Sequence, residues 1–283
     1  MDFARQLWLR IETIHAVTYF GAESTAAAAD AGIEGFWRSY FGFRAAPMGR
    51  VGAGVVEASF FNFAPAFVGR WVPEVWSAVA PERLLAARST GAVATLRTAP
   101  HEALESAVSA VPLLRAASDR AVAAGRPLFA ANRLVDVPEE PVAALWQLCT
   151  NLREHRGDGH VAALTSAGID GIEAHVLIAA EQGNSPDDLQ RTRGWTADDW
   201  AAAEGRCRER DLVDGAGGLT AAGRALRAEV EATTDALAAS PFRRCSAEER
   251  TALLASVDPL ARHISASGVI RYPNPMGLPP LRA

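Results

Sequence analysis

Apolar positions recur at three- and four-residue spacing along most of the chain, which predicts helices nearly throughout. Leu7, Ile11, Ile14 and Val17 set that period for residues 3–29, one long helix or two abutting ones that carry His15, Tyr19 and Glu23. Residues 33–46 read as a helix dense in aromatics (Phe36, Trp37, Tyr40, Phe41 and Phe43) with Arg38 and Arg44 among them, closed by Pro47 and Gly49. Two short helices are expected over 51–63 and 65–76, then a hairpin of helices over 81–97 and 100–124. Valines, prolines and acids over 135–141 mark a connection. Beyond it come a helix over 142–155 that ends at Gly157, then 170–181, a short one from Ser185 through Gln190, and a longer one from Thr196 through Arg210. Residues 212–220 read as two short strands around a glycine turn, followed by helices over 221–238 and 246–267. From Tyr272 onward Pro273, Pro275, Pro279 and Pro280 predict an extended arm.

The pattern also repeats. Ala31-Gly32-Ile33-Glu34-Gly35 echoes Ala167-Gly168-Ile169-Asp170-Gly171 at an offset of 136, Leu7-Trp8 aligns with Leu145-Trp146 at 138, and residues 81–88 align with 220–227 at 139. Offsets held this closely over three blocks point to an ancient duplication. The fold class expected is mainly α, two pseudo-repeated winged-helix-like halves with a small two-stranded wing in the second. The chain divides accordingly into a degenerate repeat over 1–98, a helical hairpin and connection over 99–141, a second repeat over 142–240, and a C-terminal helix with a Pro-rich arm over 241–283.

Composition narrows the function classes. Of 283 residues, 49% are apolar, enough for a large core. Three cysteines without CxxC spacing call for neither disulfides nor structural zinc and fit a reducing cytoplasm. Neither a signal region nor an 18-residue uncharged apolar stretch occurs, so a cytoplasmic protein is expected. Net charge is −5 and all 28 basic residues are arginine; this bias suits the codon usage of a GC-rich genome and is not read residue by residue as phosphate recognition. An acidic chain is not primed for nucleic acid.

Candidate chemistry concentrates between residues 151 and 171, where Arg153, Glu154, His155, Arg156, Asp158 and His160 fall between two apolar segments. His155 and Asp158, with His15, form the expected acid–base set: a histidine titrates near neutrality and a neighbouring carboxylate orients its ring. Tyr19, Arg44, Asn62, Asn132, Arg153, Arg156 and His160 are the expected ligand-binding groups, each polar in apolar surroundings. The plainer readings stand beside these. A histidine such as His15 on an apolar helix is more often a satisfied core residue, Asn62 reads equally as a helix cap, and the charged set reads also as a salt-bridge network joining the two halves. Metal is not expected, since His155 and His160 are separated by five residues across two glycines. Gly49-Arg50-Val51-Gly52-Ala53-Gly54 does not match a dinucleotide fingerprint, so no organic cofactor is implied.

Four segments carry a family resemblance: His15-Ala16-Val17-Thr18-Tyr19-Phe20, Phe61-Asn62-Phe63-Ala64-Pro65, residues 125–132 (Gly-Arg-Pro-Leu-Phe-Ala-Ala-Asn) and residues 152–160 (Leu-Arg-Glu-His-Arg-Gly-Asp-Gly-His). With them the chain resembles, over nearly its full length, an actinobacterial family of MarR-like winged helix-turn-helix proteins with a duplicated architecture. Asp211-Leu212-Val213 and Leu219 to Arg224 resemble the wing and post-wing helix of such regulators. The resemblance implies a fold; it does not imply a shared biochemical role. Two functions follow from the residues. One is a small-molecule-binding protein or cofactor-independent acid–base enzyme, with a polar pocket between the halves for an anionic or polar aromatic ligand and specialised metabolism as the expected setting. The other is a MarR-like DNA-binding regulator, which the acids weigh against: six acids face three arginines between Gly194 and Asp214. A homodimer is left open, and no membrane partner is expected.

Overall fold

The computed structural model of the chain describes residues 2–274 and 276–281; Pro275, expected in the arm, lies outside them. It is mainly helical. The first apolar stretch forms α1 (Phe3–Phe20) and α2 (Ala22–Asp30), broken at Gly21, where any side chain would collide with the Thr95 hydroxyl. After them come α3 (Phe36–Ala45), α4 (Ala53–Phe60), α5 (Pro65–Ala78) and α6 (Pro81–Leu96). The expected helix over 100–124 is two, α7 (His101–Val108) and α8 (Val111–Arg120), because Pro112 starts a new helix within its first turn. Next are α9 (Pro127–Arg133), α10 (Pro141–Ser166), α11 (Gly171–Gln182), α12 (Pro186–Arg193), α13 (Ala197–Glu209), α14 (Ala221–Ala239) and α15 (Ala247–Ala266).

Local chemistry sets many of these starts. Proline opens α5, α6, α9, α10 and α12, where a missing N–H costs nothing. Reciprocal capping boxes join Asp170 with Glu173, Thr196 with Asp199 and Ser246 with Glu249. The Glu140 carboxylate accepts from the Val142 and Ala143 amides at the start of α10.

Two expectations require correction. First, α10 does not stop at Gly157 but continues to Ser166. Glycine lowers helix propensity, yet here it permits close packing: a Cβ on Gly159 would stand 2.7 Å from Arg126 Nη1 and 3.4 Å from Leu237 Cβ on α14. Second, no strand, and hence no two-stranded wing, occurs among the described residues. The segment between α13 and α14 holds a single antiparallel bridge, Val213 with Leu219. The Asp214 side chain accepts from the Ala216 and Gly218 amides, which curls the tip, and Thr220 already caps α14, so no length remains for a ladder.

Three apolar clusters organise the molecule. The central one joins α1, α7, α8, α10 and α15 through Ile14, Val17, Leu114, Leu145, Trp146 and Leu260. A second, aromatic, unites α3 to α6 around Phe41, Phe43, Phe60 and Phe63. The third unites the end of α10 with α11 to α14 around Leu164, Ile172, Leu177, Trp200 and Leu212. Thus α1 and α10 form a shared spine, and a lobe hangs from each. No single described helix is long and apolar enough to cross a membrane.

Candidate functional site

The two lobes and the spine border a half-open cavity of about 880 Å³. One face of α10 supplies its floor with Arg153, Arg156, Gly157, His160, Val161 and Leu164, positions three or four apart that stack along one side of a helix. Opposite stand Arg5, Trp8 and Glu12 of α1. The first lobe contributes Tyr40, Arg44, Phe60, Asn62 and Phe63; the second contributes His175, Arg193, Arg227, Glu231 and Asp235. Residues 272–274 and 276–280 of the arm border one side, pinned by Asn274, whose side chain bonds the Leu278 carbonyl and amide.

Charges in the walls form two linked sets. At one end Arg5 Nε contacts both Asp235 oxygens at 3.1 and 3.0 Å, and Arg156 Nη2 reaches Glu231 and Asp235 at 3.2 Å each, its guanidinium 4.1 Å above the Trp8 ring. At the other end runs an alternating chain. Trp8 Nε1 donates to Glu12 at 3.2 Å, and Arg153 Nε donates to Glu12 at 3.0 Å. Arg153 Nη1 lies 2.7 Å from Glu154, and Arg44 donates to Glu154 at 3.2 Å and to the Tyr40 hydroxyl at 3.1 Å. Arg44 also covers the Phe60 ring at 4.2 Å, and Arg193 covers Phe63 at 4.7 Å. Seven arginines line the cavity against five carboxylates, so its wall is positive although the chain is negative.

Burial sets the protonation states. It would push the Glu154 carboxyl up, but Arg153 and Arg44 hold it at about 2. Desolvation lowers His160 to about 4 and His175 to about 3, so both rings are neutral at physiological pH. His160 Nδ1 pairs with the Thr234 hydroxyl at 2.9 Å.

Of the residues expected at a site, the structure brings Arg44, Asn62, Arg153, Arg156 and His160 together in the cavity wall. The other five are not among the lining residues. His15 bonds Thr150 at 2.9 Å and Tyr19 at 3.2 Å and stacks on Trp146, while Tyr19 packs against Tyr40. Asn132 accepts from Arg88 at 3.1 Å. His155 and Asp158 point away, because the continued α10 places them on the face toward α9: His155 meets Phe129 edge-on, and Asp158 accepts from the Phe129 amide at 2.8 Å, capping that helix. Burial raises the Asp158 carboxyl to about 7 and lowers His155 to about 3. Among the described residues no group of three or more His, Cys, Asp or Glu could hold a metal ion.

Sequence reasoning missed Glu12, His175 and Arg193 in the walls. Glu12 and His175 carried a signal, a polar residue at an apolar helical position; Arg193 carried none, since its burial depends on the lobes meeting. That meeting is tight. Asn62 Nδ2 donates to the Gly171 carbonyl at 3.3 Å, Trp195 Nε1 donates to the Asn62 carbonyl at 3.1 Å, and the Ala64 amide donates to the Arg193 carbonyl at 2.9 Å.

A family model described as "Helix-turn-helix family" matches residues 4–271. No curated protein and no solved structure matches the chain.

Proposed function

Since the chain belongs to the helix-turn-helix family, we propose that it uses this scaffold to bind a small anionic, partly aromatic molecule between its two lobes. The observation that carries this reading is the cavity itself: seven arginines and the faces of Trp8, Tyr40, Phe60 and Phe63 surround about 880 Å³ in a chain of net charge −5. A concave site of that size, in which many charged groups converge beside aromatic rings, suits an anionic aromatic ligand. The protonation states favour binding over acid–base turnover. His160 and His175 are weak bases at about 4 and 3, and Asp158, which titrates near 7, is not in the wall.

The test is thermal melting of the wild type and of Ala228→Trp, which adds a bulky ring at the exposed rim of the cavity on α14 without removing a charge. A panel of aromatic carboxylates and the small-molecule fraction of a cell extract are the additives. A ligand at a hundredfold excess over its Kd is expected to raise the wild-type melting temperature by about 5 °C, and to leave Ala228→Trp unmoved. No shift in the wild type, or equal shifts in both, would contradict the reading.

Family membership favours a second reading, a DNA-binding regulator, in which α13 enters the major groove. Electrostatics weigh against it. The exposed side of α13 carries Asp198, Asp199 and Glu209, and its arginines are engaged, Arg206 with Asp170 and Glu173 and Arg208 with Glu204. Without free cations the phosphate attraction that supplies most non-specific affinity is missing. A gel shift with the DNA upstream of its own gene is expected to show no competitor-resistant complex at physiological salt; such a complex would revive the regulator.

The duplication belongs to the same proposal. Helices α1, α3, α5 and α6 are followed in the same order by α10, α11, α13 and α14, beginning 138, 135, 132 and 140 residues later. Superposing residues 5–98 on 143–238 tests it, and fewer than three helices aligned in order would refute it.

A further inference from the structure

Ion pairing divides the seven arginines of the cavity wall unequally. Arg5 and Arg156 face Glu231 and Asp235, Arg44 and Arg153 face Glu12 and Glu154, and Arg227 faces Glu181 at 2.6 Å, so five arginines are matched one for one by carboxylates. A guanidinium already met by a carboxylate offers a ligand anion little net attraction, because the carboxylate repels what the guanidinium draws. Arg193 is 8% exposed and lies against the Phe63 ring. Arg224 differs from these six. It lines the cavity from the first turn of α14, it is exposed, and among the described residues its guanidinium meets no carboxylate. Its Nη1 donates to the Leu219 carbonyl at 2.6 Å, while Nε and Nη2, one edge of the fork, make no hydrogen bond to a described residue.

Position decides what that edge can read. Arg224 and Ala228, one turn apart and both exposed, stand on the side of α14 that borders the half-open cavity. An Nε–Nη2 edge matches the two oxygens of a carboxylate, and beside solvent both charges keep part of their hydration, so the contact avoids the desolvation cost that a buried ion pair must overcome. Tyr40, Phe60 and Phe63 line the same cavity from the first lobe and offer their rings to the apolar part of such a ligand. We infer that Arg224 is the charge-reading residue of the cavity: it holds the ligand's carboxylate at the mouth, while the buried ion pairs shape the walls. The inference rests on the ligand-binding reading of the cavity and adds where the charge of the ligand lies.

The experiment measures three acid–amide pairs by titration calorimetry: phenylacetate and phenylacetamide, 3-phenylpropionate and 3-phenylpropionamide, and 1-naphthylacetate and 1-naphthylacetamide. At low salt the wild type is expected to bind the acid of at least one pair about fivefold more tightly than its amide, the upper range for an exposed ion pair. Arg224→Gln is expected to reduce that preference to within about twofold by weakening the acid alone; the unchanged amide affinity reports that the variant is folded. Arg224→Lys, which keeps the charge but not the fork, is expected to retain part of it. Arg115→Gln removes the same charge from an exposed position on α8 outside the cavity and is expected to leave the preference whole. Raising the salt to about 0.5 M is expected to abolish most of it, since exposed charges are screened and buried ones much less. An undiminished preference in Arg224→Gln, an equal fall in Arg115→Gln, or a preference that survives the salt overturns the assignment and leaves the cavity reading intact. Equal affinities for acid and amide in the wild type also overturn it, leaving a cavity that binds aromatic molecules without reading their charge. Failure of all six probes to bind overturns both. Should Arg224→Gln fail to fold, the salt series on the wild type still decides between the mouth and the buried arginines.

Discussion

Glu154 is 1% exposed and lies between Arg44 and Arg153. Replacing it with glutamine removes the charge that both guanidiniums share while keeping the side chain's size. Breaking a buried ion network in this way is expected to cost about 3–5 kcal/mol, read as a lower urea midpoint at unchanged slope. A loss under 1 kcal/mol would mean that water reaches the pair. Asp158 tests a different assignment. Its folded-state carboxyl titrates at about 7, well above an unfolded aspartate, so its contribution to stability is full below about pH 4 and is lost as pH rises through 7. Asp158→Asn keeps an acceptor for the Phe129 amide without the charge, so the wild type is expected to lose stability relative to the variant between pH 4 and pH 8. Asp158→Ala removes the cap and is expected to cost about 1–2 kcal/mol at low pH as well. A pH-independent difference between wild type and Asp158→Asn would contradict the raised carboxyl. The contrast between these residues also shows what was legible in the sequence. The density of charge from Arg153 to His160 was visible, but treating the stretch as ending in a loop merged two faces. Once α10 is continuous, helical period sends Arg153, Arg156 and His160 to the cavity and His155 and Asp158 to α9.

Helices were largely legible, because apolar period and Pro, Ser, Thr and Asp starts agree along the chain. The errors fall where tertiary contact overrides a local rule. Gly157 and Gly159 look like terminators yet sit mid-helix, and Gly159 is needed where α14 and Arg126 approach. The expected wing fails because the Asp214 turn and the Thr220 cap consume its length. The same logic gives a prediction at the lobe seam. Phe61 holds a positive φ of 65° at the end of α4, and its carbonyl oxygen occupies the space a side chain on Gly171 would need, at the first turn of α11. Gly171→Ala must displace backbone rather than a flexible side chain, so it is expected to cost at least about 2 kcal/mol, near the upper part of the overpacking range. Hydrogen exchange of α11 amides is expected to rise with it, as the seam loosens. Wild-type stability in this variant would show that the lobes do not meet there.

At the scale of the molecule, the sequence pointed to Arg44, Asn62, Arg153, Arg156 and His160 but not to the rest of the cavity wall, since Glu12, His175 and Arg193 reach it only through the packing of separate helices. The spine of α1 and α10 and both lobes carry buried charges, the first lobe adds aromatic rings, and the arm held by Asn274 borders one side of the half-open cavity. A structural salt-bridge network would explain the ion pairs without requiring the space between them. Native mass spectrometry of the protein isolated without denaturation from its own cells separates the two accounts directly. The wild type is expected to carry a non-covalent small-molecule adduct above its 30.0 kDa chain mass, released on collisional activation, and Ala228→Trp is expected to appear at chain mass alone. A bare chain mass for the wild type, or the same adduct on both proteins, would contradict a ligand held in the cavity.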